Sequence, residues 1–410
     1  MKILVLNAGS SSQKSCLYEL NDSLPDRPPQ PLWEAKIDWS HREGAGELQV
    51  TTAAGNRFEE EIASDYRAGA IARMLETLWQ GETQVINSLN EIDIVGHRVV
   101  HGGENYQQST LISPEVKQEI ARLSQFAPVH NPINLEGIEA VEKILKNVPQ
   151  VAVFDTAFHS DLPPAAFVYP GPYEWLEDGI RRYGFHGISH QYCARRAAEI
   201  LNRDSADLRL ISCHLGNGCS LAAVRDGRSV DTTMGFTPLD GLMMGSRSGA
   251  IDPGIIIHLL RRSHFTAEEL DNILNRNSGL KGISGVSSDM RLIAEAIANG
   301  NSRAQLAFDI YVHRLRAGIG AMLASLGGLD ALIFTAGVGE NSAVVRAAVC
   351  EVFGFIGLRL DGEKNLNSPI DDDVAAVDSA VRVLVIHTQE DWEIARECWK
   401  VYSQKVHLIS

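Results

Sequence analysis

The sequence predicts an α/β protein with two domains that are built alike and face each other across a cleft. Three observations lead to this prediction. The chain has 410 residues, 44% of them hydrophobic, which is enough for two cores and too long for one typical domain. The same order of predicted elements, β-β-β-α-β-α-β, occurs twice along the chain. In each copy a turn of small residues follows the first apolar strand, NAGSSSQ at 7–13 and HLGNGCS at 214–220.

Alternation of apolar and polar residues, with turn residues between the segments, predicts the elements of the first copy. They are strands at 1–8, 13–20 and 32–39, an extra hairpin at 48–62, a helix at about 62–80, a strand at 92–100, helices at 113–124 and 134–146, and a strand at 151–158. The Pro-rich segment NDSLPDRPPQP between the second and third strands predicts a surface loop.

The second copy repeats this order. Its predicted elements are three short strands with tight glycine turns within 208–233, a helical region, a strand at 331–338, a helix, a strand at 381–388 and a final helix. Because glycine turns follow strands here as well, a ligand could approach the backbone in either copy. A plain hairpin turn is the alternative interpretation of each turn.

Composition excludes several classes of partner. The formal net charge is −15, which argues against nucleic acid and against anionic membrane surfaces. No apolar stretch is long enough to span a membrane, and the N-terminus reads as a first strand rather than a signal peptide. The six cysteines form no CxxC pair, so we expect a reducing, cytoplasmic location with neither disulfides nor structural zinc.

Three glycine- or serine-rich loops in the second copy predict nucleotide binding. They are HLGNGCS, FTAGVGEN at 334–341 and SGVSSDMR at 284–291. A glycine loop ahead of a helix N-terminus is an anion site by geometry, and Asn341 could cap such a helix. Hairpin turns and solvated loops remain the alternatives for each one taken alone. The chain contains neither a GxxxxGK[ST] nor a GxGxxG motif, so P-loop and Rossmann interpretations have no support.

Ionisable residues at predicted strand ends are the more specific signal. Asp155 closes the apolar strand VAVFD, where a carboxylate is costly unless it is paired or hydrogen-bonded. His97 and Arg98 interrupt IDIVGHRVV in the same way, and an arginine fork there suits a carboxylate or a phosphate. Arg247 lies among small residues in MMGSRSGAIDPG, which leaves its guanidinium accessible.

Other polar residues have a structural explanation that competes with a functional one. His130 in APVHNP and His186 in YGFHGISH occupy Pro-bounded or aromatic turns, where a lone histidine is more often structural. Glu390 begins the last helix, and Thr388 and Asp391 have the spacing of a capping box. First-turn acids also favour the helix dipole, so the structural interpretation is strong at Glu390.

Taken together, these segments resemble the acetate kinase family of acyl-phosphate-forming kinases over nearly the whole chain. The motifs that carry the resemblance are LVLNAGSSS, GHRVVHGG, APVHNP, VFDTAFH, YGFHGISH, HLGNG, MGSRSGAIDPG, SSDMR, FTAGVGEN and TQE. The resemblance implies the duplicated ribonuclease-H-like fold of the acetate and sugar kinase, Hsp70 and actin superfamily. It also implies residues 1–155 plus 389–410 as one domain, residues 156–388 as the nucleotide-binding domain, and a homodimer.

The resemblance further implies roles for individual residues. Asp155, His186, Arg247 and Arg98 would be catalytic, and Arg98 would also hold the substrate carboxylate. Asn7 and Glu390 would be associated with Mg²⁺, with Mn²⁺ as an alternative. Substrate would be bound by Val100, Val129, His130, Phe185 and Pro238. ATP or ADP would be held by His214, Leu215, Gly216, Asn217, Gly218, Asp289, Met290, Arg291, Gly337, Val338, Gly339, Glu340 and Asn341.

The expected activity is reversible, magnesium-dependent phosphoryl transfer from ATP to acetate. A propionate or butyrate kinase with the same chemistry is the nearest alternative, followed by a sugar kinase and by an ATP-gated binding module. Two arginines disfavour a neutral sugar acceptor. Local departures from the family pattern are Ile188, Ser246, Ala250, His387 and Gln389, the last two beside Glu390.

Overall fold

The computed structural model describes residues 1–9, 12–21, 23–42, 45–63, 67–262, 265–367 and 370–409. The chain divides into two compact units. The first unit comprises Met1–Ala157 and Gln389–Ser410, and the second unit comprises Phe158–Thr388. Ser10 and Ser11, in the predicted turn after the first strand, lie outside the described residues.

The first unit is built on a mixed sheet of eight strands. Its strands are β1 (Lys2–Ala8), β2 (Ser12–Glu19), β3 (Trp33–Arg42), β4 (Ala45–Thr52), β5 (Arg57–Ala63), β6 (Ile94–Val99), β7 (Thr110–Leu111) and β8 (Gln150–Phe154), in the spatial order β5-β4-β3-β2-β1-β6-β8-β7. Strands β1, β6 and β8 run parallel, whereas β1 to β5 form an antiparallel series. The parallel strands are mostly buried, and His97 and Arg98 are the charged or polar residues that interrupt the apolar run of β6.

The helices of this unit between β5 and β8 are α1 (Arg67–Glu76), α2 (Pro114–Arg122) and α3 (Asn131–Ile144). The helix α2 begins where its sequence predicts, since Ser113 accepts a hydrogen bond from the Val116 N–H and a proline occupies the first turn. Helices α1 and α3 contribute apolar residues to the core that lies over β1 to β5. The result is that the carboxyl ends of β1, β6 and β8 lie side by side at one edge of the sheet.

The second unit repeats this arrangement on a smaller sheet. Its strands are β9 (Arg209–Leu215), β10 (Cys219–Arg225), β11 (Arg228–Thr232), β12 (Ala331–Thr335), β13 (Asp372–Asp373) and β14 (Arg382–Val385), in the spatial order β11-β10-β9-β12-β14-β13. Strands β9 to β11 are antiparallel, and β9, β12 and β14 run parallel. The parallel set thus corresponds to β1, β6 and β8 of the first unit.

The helices of the second unit are more numerous. They are α4 (Pro164–Phe167), α5 (Glu174–Glu177), α6 (Gly187–Leu201), α7 (Pro253–Arg262), α8 (Ala267–Arg276), α9 (Gly279–Ser284), α10 (Met290–Ala298), α11 (Ser302–Leu326), α12 (Ala336–Asn341), α13 (Ala343–Cys350) and α14 (Gly362–Leu366). In the described part of the chain, no helix combines the length and apolar character needed to cross a bilayer.

The last helix, α15 (Glu390–Ile409), returns to the first unit and packs on β1 and β6. This close approach depends on Gly96 in β6. A methyl group at Gly96 would lie 2.5 Å from the Cys398 sulfur and 2.7 Å from an Ile394 methyl carbon of α15. The glycine therefore lets the helix lie against the sheet, with Glu390 at the helix start.

The repeated order of elements is confirmed, and so is the extra hairpin, which forms β4 and β5. Several strand predictions are wrong in extent. The predicted strands at 151–158 and 381–388 end early, at Phe154 and Val385. The predicted strand at 331–338 ends at Thr335, because the chain turns directly into α12 at Ala336. Ala336 has a φ of 63°, a conformation that non-glycine residues rarely adopt and that sequence patterns do not reveal.

Candidate active site

The first unit contains a buried ion pair at the carboxyl ends of β6 and β8. Arg98 lies near the end of β6, and Asp155 directly follows β8, with its N–H donating to the Val99 carbonyl oxygen. The Arg98 Nη2 atom donates to Asp155 Oδ2 at 2.8 Å, and the two side chains are 15% and 3% exposed. Neighbouring parallel strands therefore bring these two predicted residues together.

Arg98 has hydrogen-bonding capacity beyond this pair. Its Nη1 donates to the Ala8 carbonyl oxygen at 3.2 Å, whereas its buried Nε has no hydrogen-bond partner among the described residues. Burial opposes the charge of Arg98, but the carboxylates of Asp155, Glu390 and Asp391 outweigh it and raise the pKa. A fixed cation with an unused donor is suited to a small carboxylate.

A second polar cluster lies at the start of α15. The Asn7 Nδ2 atom, at the end of β1, donates to Glu390 Oε2 at 3.2 Å and to Asp391 Oδ1 at 2.9 Å. The second Asp391 oxygen accepts from the Cys16 thiol at 3.8 Å. The Asp391 carboxylate is thus engaged by β1 and β2 rather than in the helix-capping role that its spacing suggested. Loss of hydration raises the pKa of Asp391, although Asn7 and Lys14 oppose the rise.

This donor set is compatible with a magnesium ion. Among the described residues, no group of three His, Cys, Asp or Glu side chains is arranged to hold a metal. Mg²⁺ does not require one, because it is usually held by one or two carboxylates while waters and substrate phosphates complete its shell. The Glu390 carboxylate and the Asn7 amide oxygen would supply two oxygen ligands of this kind.

The predicted substrate residues of the first unit differ in exposure. Val100 is 2% exposed, whereas Val129 is 44% exposed and His130 is partly buried just ahead of α3. The loop after β6 is tied to α3, since Asn134 accepts from the Val100 N–H at 3.1 Å and Asn131 accepts from the His101 N–H at 3.1 Å. Val129 is therefore the apolar residue of this group with surface to offer a ligand.

In the second unit, His186 occupies a strained backbone position. It has φ 57° and ψ 25° and immediately precedes α6, with no side-chain cap at that helix end. A non-glycine residue in this region costs about 1–3 kcal/mol, and such residues cluster at functional sites. The imidazole stacks on that of His214, with ring centroids 4.1 Å apart, and its Nδ1 lies 2.9 Å from Ser220 Oγ.

Arg247 and the HLGNG turn adjoin His186. A methyl group at Gly218 would lie 3.3 Å from His186 Nε2 and 3.5 Å from Arg247 Nη1, so both nitrogens border the same glycine. Arg247 Nη1 also donates to the Pro238 carbonyl oxygen at 3.1 Å. A histidine, an arginine and the N-terminus of the 15-residue helix α6 together provide an anion-binding environment.

The turn itself, His214 to Gly218, joins β9 to β10. Its Gly216 N–H donates to the Gly218 carbonyl oxygen at 3.0 Å. The Asn217 carbonyl oxygen accepts from the Gly245 N–H at 3.1 Å, which ties the turn to the segment that carries Arg247. Phe185, beside His186, is 1% exposed.

The other two predicted nucleotide segments have different characters. Asp289 caps α10, whose first residue is the buried Met290, and pairs with Arg291 at 2.6 Å. The Arg291 side chain is 89% exposed, and its hydrogen bonds lower the pKa of Asp289. These contacts leave the arginine extended from the surface.

The residues Gly337 to Asn341 belong to α12. Glu340 directs its carboxylate to protein groups, namely the N–H groups of Ala336 at 2.7 Å and Thr388 at 3.1 Å and His387 Nδ1 at 2.6 Å. Burial alone would raise the pKa of Glu340, but His387 and the backbone N–H donors outweigh it and lower the pKa. Asn341 does not cap the next helix, because its Nδ2 donates to Gly337 and Ser342 caps α13 instead.

Comparisons with known proteins identify one family. The model of the acetokinase family matches residues 2–396. The chain belongs to the acetokinase family. It is 67% identical to the acetate kinase of Nostoc sp. over 400 residues, which cover 97% of this chain and 99% of the relative. It is also 67% identical to the acetate kinase of Gloeobacter violaceus over 402 residues, covering 98% and 99%.

Two solved structures of this family match the fold. The acetate kinase of Porphyromonas gingivalis has a TM-score of 0.88 and 40% identity, covering 98% of this chain and 99% of its own. A propionate kinase from Francisella tularensis has a TM-score of 0.88 and 36% identity, covering 97% and 99%. The predicted fold class, with two domains of the actin, Hsp70 and sugar-kinase type, is confirmed.

Several departures from the family pattern have local explanations. His387, where the family usually has proline, contacts Glu340, and its N–H donates to Asp371 at 3.1 Å. Ser246 donates to the Asn275 carbonyl oxygen at 3.0 Å, and Ile188 is buried in the first turn of α6. Nothing in the structure explains Gln389.

The sequence did not reveal three polar residues, Asp391 in the first unit and His190 and Ser220 in the second unit. The spacing of Asp391 predicts helix capping, and first-turn acids favour the helix dipole. His190 and Ser220 end the motifs YGFHGISH and HLGNGCS, but the sequence predicts no role for either residue. The signal for His190 was its position four residues after His186, which predicts the same face of a helix.

Proposed function

We propose that this chain is an acetate kinase that transfers the γ-phosphoryl group of ATP reversibly to acetate. An acetate oxygen forms the new bond to phosphorus as the bond to the β,γ-bridging oxygen breaks, giving acetyl phosphate and ADP. The observation that carries the proposal is the 67% identity with acetate kinases over 97% of the chain. The charged and hydrogen-bonding groups described above support it chemically.

Each unit contributes groups suited to one part of this reaction. Arg98, fixed by Asp155, would hold the acceptor carboxylate, with the exposed Val129 toward its methyl group. His186 and Arg247 would neutralise charge on the phosphoryl oxygens during transfer, since phosphoryl transfer depends on positioning and electrostatic stabilisation. The turn at His214 to Gly218 and the segments at Asp289 and Gly337 would hold the nucleotide.

The proposal includes a divalent metal and a homodimer. Glu390 and Asn7 would hold Mg²⁺, which when bound supplies charge neutralisation to the phosphates. The family resemblance favours the dimer, and light scattering coupled to size exclusion would measure the molar mass directly.

Hydroxylamine trapping tests the activity. The purified protein is incubated with ATP, Mg²⁺ and acetate, and hydroxylamine converts any acyl phosphate into an acyl hydroxamate. Acetohydroxamate should form with wild-type protein and fall sharply with Arg247→Ala. ATP-dependent phosphorylation of a sugar without hydroxamate would overturn the proposal.

Propionate is a second candidate acceptor, because a propionate kinase shares this fold at a TM-score of 0.88. Parallel trapping with propionate and butyrate distinguishes the two. A higher kcat/KM for propionate than for acetate would reassign the acceptor while leaving the phosphoryl-transfer chemistry unchanged.

A further inference from the structure

The second unit contains a buried chain of histidine and serine side chains that ends at His186. His190, in the first turn of α6, is completely buried and contacts two serines. Its Nδ1 lies 2.9 Å from Ser212 Oγ on β9, and its Nε2 lies 2.8 Å from Ser220 Oγ on β10. Ser220 Oγ in turn lies 2.9 Å from His186 Nδ1. The order of contacts is therefore Ser212, His190, Ser220, His186.

The number of protons in this chain restricts its hydrogen bonds. Burial, reinforced by the neighbouring His159 and His214, holds the pKa of His190 well below its usual value, so the ring is neutral near pH 7. A neutral imidazole donates from one nitrogen and accepts at the other. The single proton of the Ser220 hydroxyl can go to only one of its two histidine neighbours. If Ser220 accepted from both histidines, its own proton would be buried without an acceptor, since within the described residues its Oγ contacts only these two rings. The three links therefore all run in one direction or all in the other.

Ser212 decides the direction. It is completely buried, and within the described residues its Oγ has one hydrogen-bond partner, His190 Nδ1. If His190 donated to Ser212, the serine proton would be buried without an acceptor, which is unfavourable. Ser212 therefore donates to His190 Nδ1, His190 Nε2–H donates to Ser220, and Ser220 donates to His186 Nδ1.

This direction fixes the state of the His186 ring. Because His186 Nδ1 accepts a hydrogen bond, its proton in the neutral ring is on Nε2. The Nε2 edge borders Gly218, as does Arg247 Nη1.

We propose that His190 is a positioning residue that acts through Ser220 and fixes His186 in the tautomer with its proton on Nε2, where it can donate to a phosphoryl oxygen during transfer. This role rests on the proposed kinase function, since a donor at Nε2 has value only beside an anionic group. The competing explanation is that the chain only stabilises the packing of α6 on β9 and β10.

The tautomer can be measured without any activity. Nitrogen-15 NMR of protein labelled at histidine distinguishes a protonated from an unprotonated ring nitrogen, and His186→Gln identifies the signals of His186. We expect protonated Nε2 and unprotonated Nδ1 in wild-type protein near pH 7. Protonation at Nδ1, alone or together with Nε2, would overturn the proposal. This readout stands even if the protein makes no acyl phosphate.

Paired serine variants test the functional consequence. Ser220→Ala removes the donor to His186, whereas Ser229→Ala removes an equally buried hydroxyl that contacts His159 Nδ1 at 2.7 Å, outside the chain. Ser220→Ala should lower kcat by roughly 10–100-fold with little change in the KM for ATP, by analogy with the loss of other orienting partners. Ser229→Ala should retain kcat while losing a similar amount of thermal stability.

Two variants of His190 separate positioning from packing. His190→Met is apolar and donates nothing, so it should give the same loss of kcat and a mixture of His186 tautomers. His190→Gln supplies an amide N–H toward Ser220 and should recover most of the activity. Equal activity of folded Ser220→Ala and Ser229→Ala, or no advantage of glutamine over methionine, would contradict the positioning role. If either histidine variant fails to fold, the serine pair and the wild-type tautomer still decide the matter.

Discussion

The two units organise their polar groups by different physical means. In the first unit, Arg98, Asp155, Glu390 and Asp391 are charged groups at strand ends and at the start of α15, and ion pairs and charge-assisted hydrogen bonds orient them. In the second unit, hydrogen bonds through the Ser220 hydroxyl link His186 to His190, Arg247 lies beside His186, and the His186 backbone is strained. The same duplicated fold therefore orients its polar side chains by ion pairs in one unit and by imidazole–hydroxyl hydrogen bonds in the other.

This difference has an energetic consequence. Removing one member of a buried ion pair leaves an uncompensated charge, which destabilises strongly. Removing one neutral hydrogen-bond partner leaves an unsatisfied group at a smaller cost. Removing a member of the Arg98–Asp155 ion pair should therefore affect stability and activity together, whereas removing one of the groups that orient His186 should affect mainly activity.

The largest expected contrast is between Arg98→Ala and Arg247→Ala. Both should lower turnover by roughly 10²–10⁴, the scale of losing a charge partner in the transition state. Only Arg98→Ala should also lower the free energy of unfolding by about 3–5 kcal/mol, because Asp155 stays buried. Arg247 Nη1 donates to the Pro238 carbonyl oxygen, a neutral acceptor, whereas Arg98 pairs with a buried carboxylate. Urea denaturation and initial rates measure both effects.

Two outcomes would break this contrast. Equal losses of stability in the two variants would mean that Arg247 also compensates a buried charge. Near-normal acyl phosphate formation by folded Arg247→Ala would contradict its part in phosphoryl transfer.

The contrast also explains what the sequence could predict. Asp155 and Arg98 stood out because charges are rare inside apolar strands, and β6 and β8 then brought them together as parallel neighbours. His190 and Ser220 did not stand out, since a histidine on a helix and a serine on a strand are ordinary residues. Their pairing depends on how α6 packs on β9 and β10, a long-range contact that local patterns do not encode.

Backbone conformation was the other limit. The turn from β12 into α12 occurs at Ala336, and α6 begins after His186, both at positive φ. Alanine does not favour that region, so propensity alone extends the strand through Ala336 to 338, and histidine is found there more often but still in a minority of cases. Tertiary packing imposes these conformations, and no local sequence pattern encodes them.

Glu390→Gln sharpens the comparison within the first unit. The amide keeps an oxygen for Asn7 Nδ2, so α15 should begin as before and the melting temperature should change little. If Glu390 holds Mg²⁺, activity should fall by roughly 10² and recover in part as Mg²⁺ is raised. Magnesium titrations beside thermal melts measure this.

Glu397→Gln is the matched control, because Glu397 lies on the same helix and contacts Ser109 and Lys400 instead. It should leave the magnesium dependence unchanged. Normal kinetics for Glu390→Gln would assign Glu390 to the helix dipole alone.

The next effect concerns a neutral group inside the charged unit. Burial lowers the pKa of His97 to about 4, although its contact with Gln150 opposes this. The unfolded chain binds this proton near pH 6.5, so folding stability is lost as pH falls from 6.5 toward 4. At pH 5 the loss is about 2 kcal/mol for this histidine relative to pH 7. His97→Gln should therefore show a smaller drop in unfolding free energy between pH 7 and pH 5 than wild-type protein.

His258→Gln is the control, because His258 lies on the exposed surface of α7. This variant should show the same drop as wild-type protein.

The smallest expected effect concerns acceptor size. Within the first unit, Val100 is almost fully buried, whereas Val129 is 44% exposed and has surface to offer a small acid. The family usually has leucine there, one methylene larger, and a methylene in an apolar pocket is worth about 1–3 kcal/mol. Acetate should be preferred, with propionate a good second substrate and longer acids poor.

Val129→Leu should lower kcat/KM for propionate about fivefold more than for acetate, near the lower end of that range. Val344→Leu, at an exposed site of the second unit, should change neither value. Equal losses of kcat/KM with both acids would mean that Val129 does not contact the acyl chain. Acceptor size would then depend on the other predicted substrate residues.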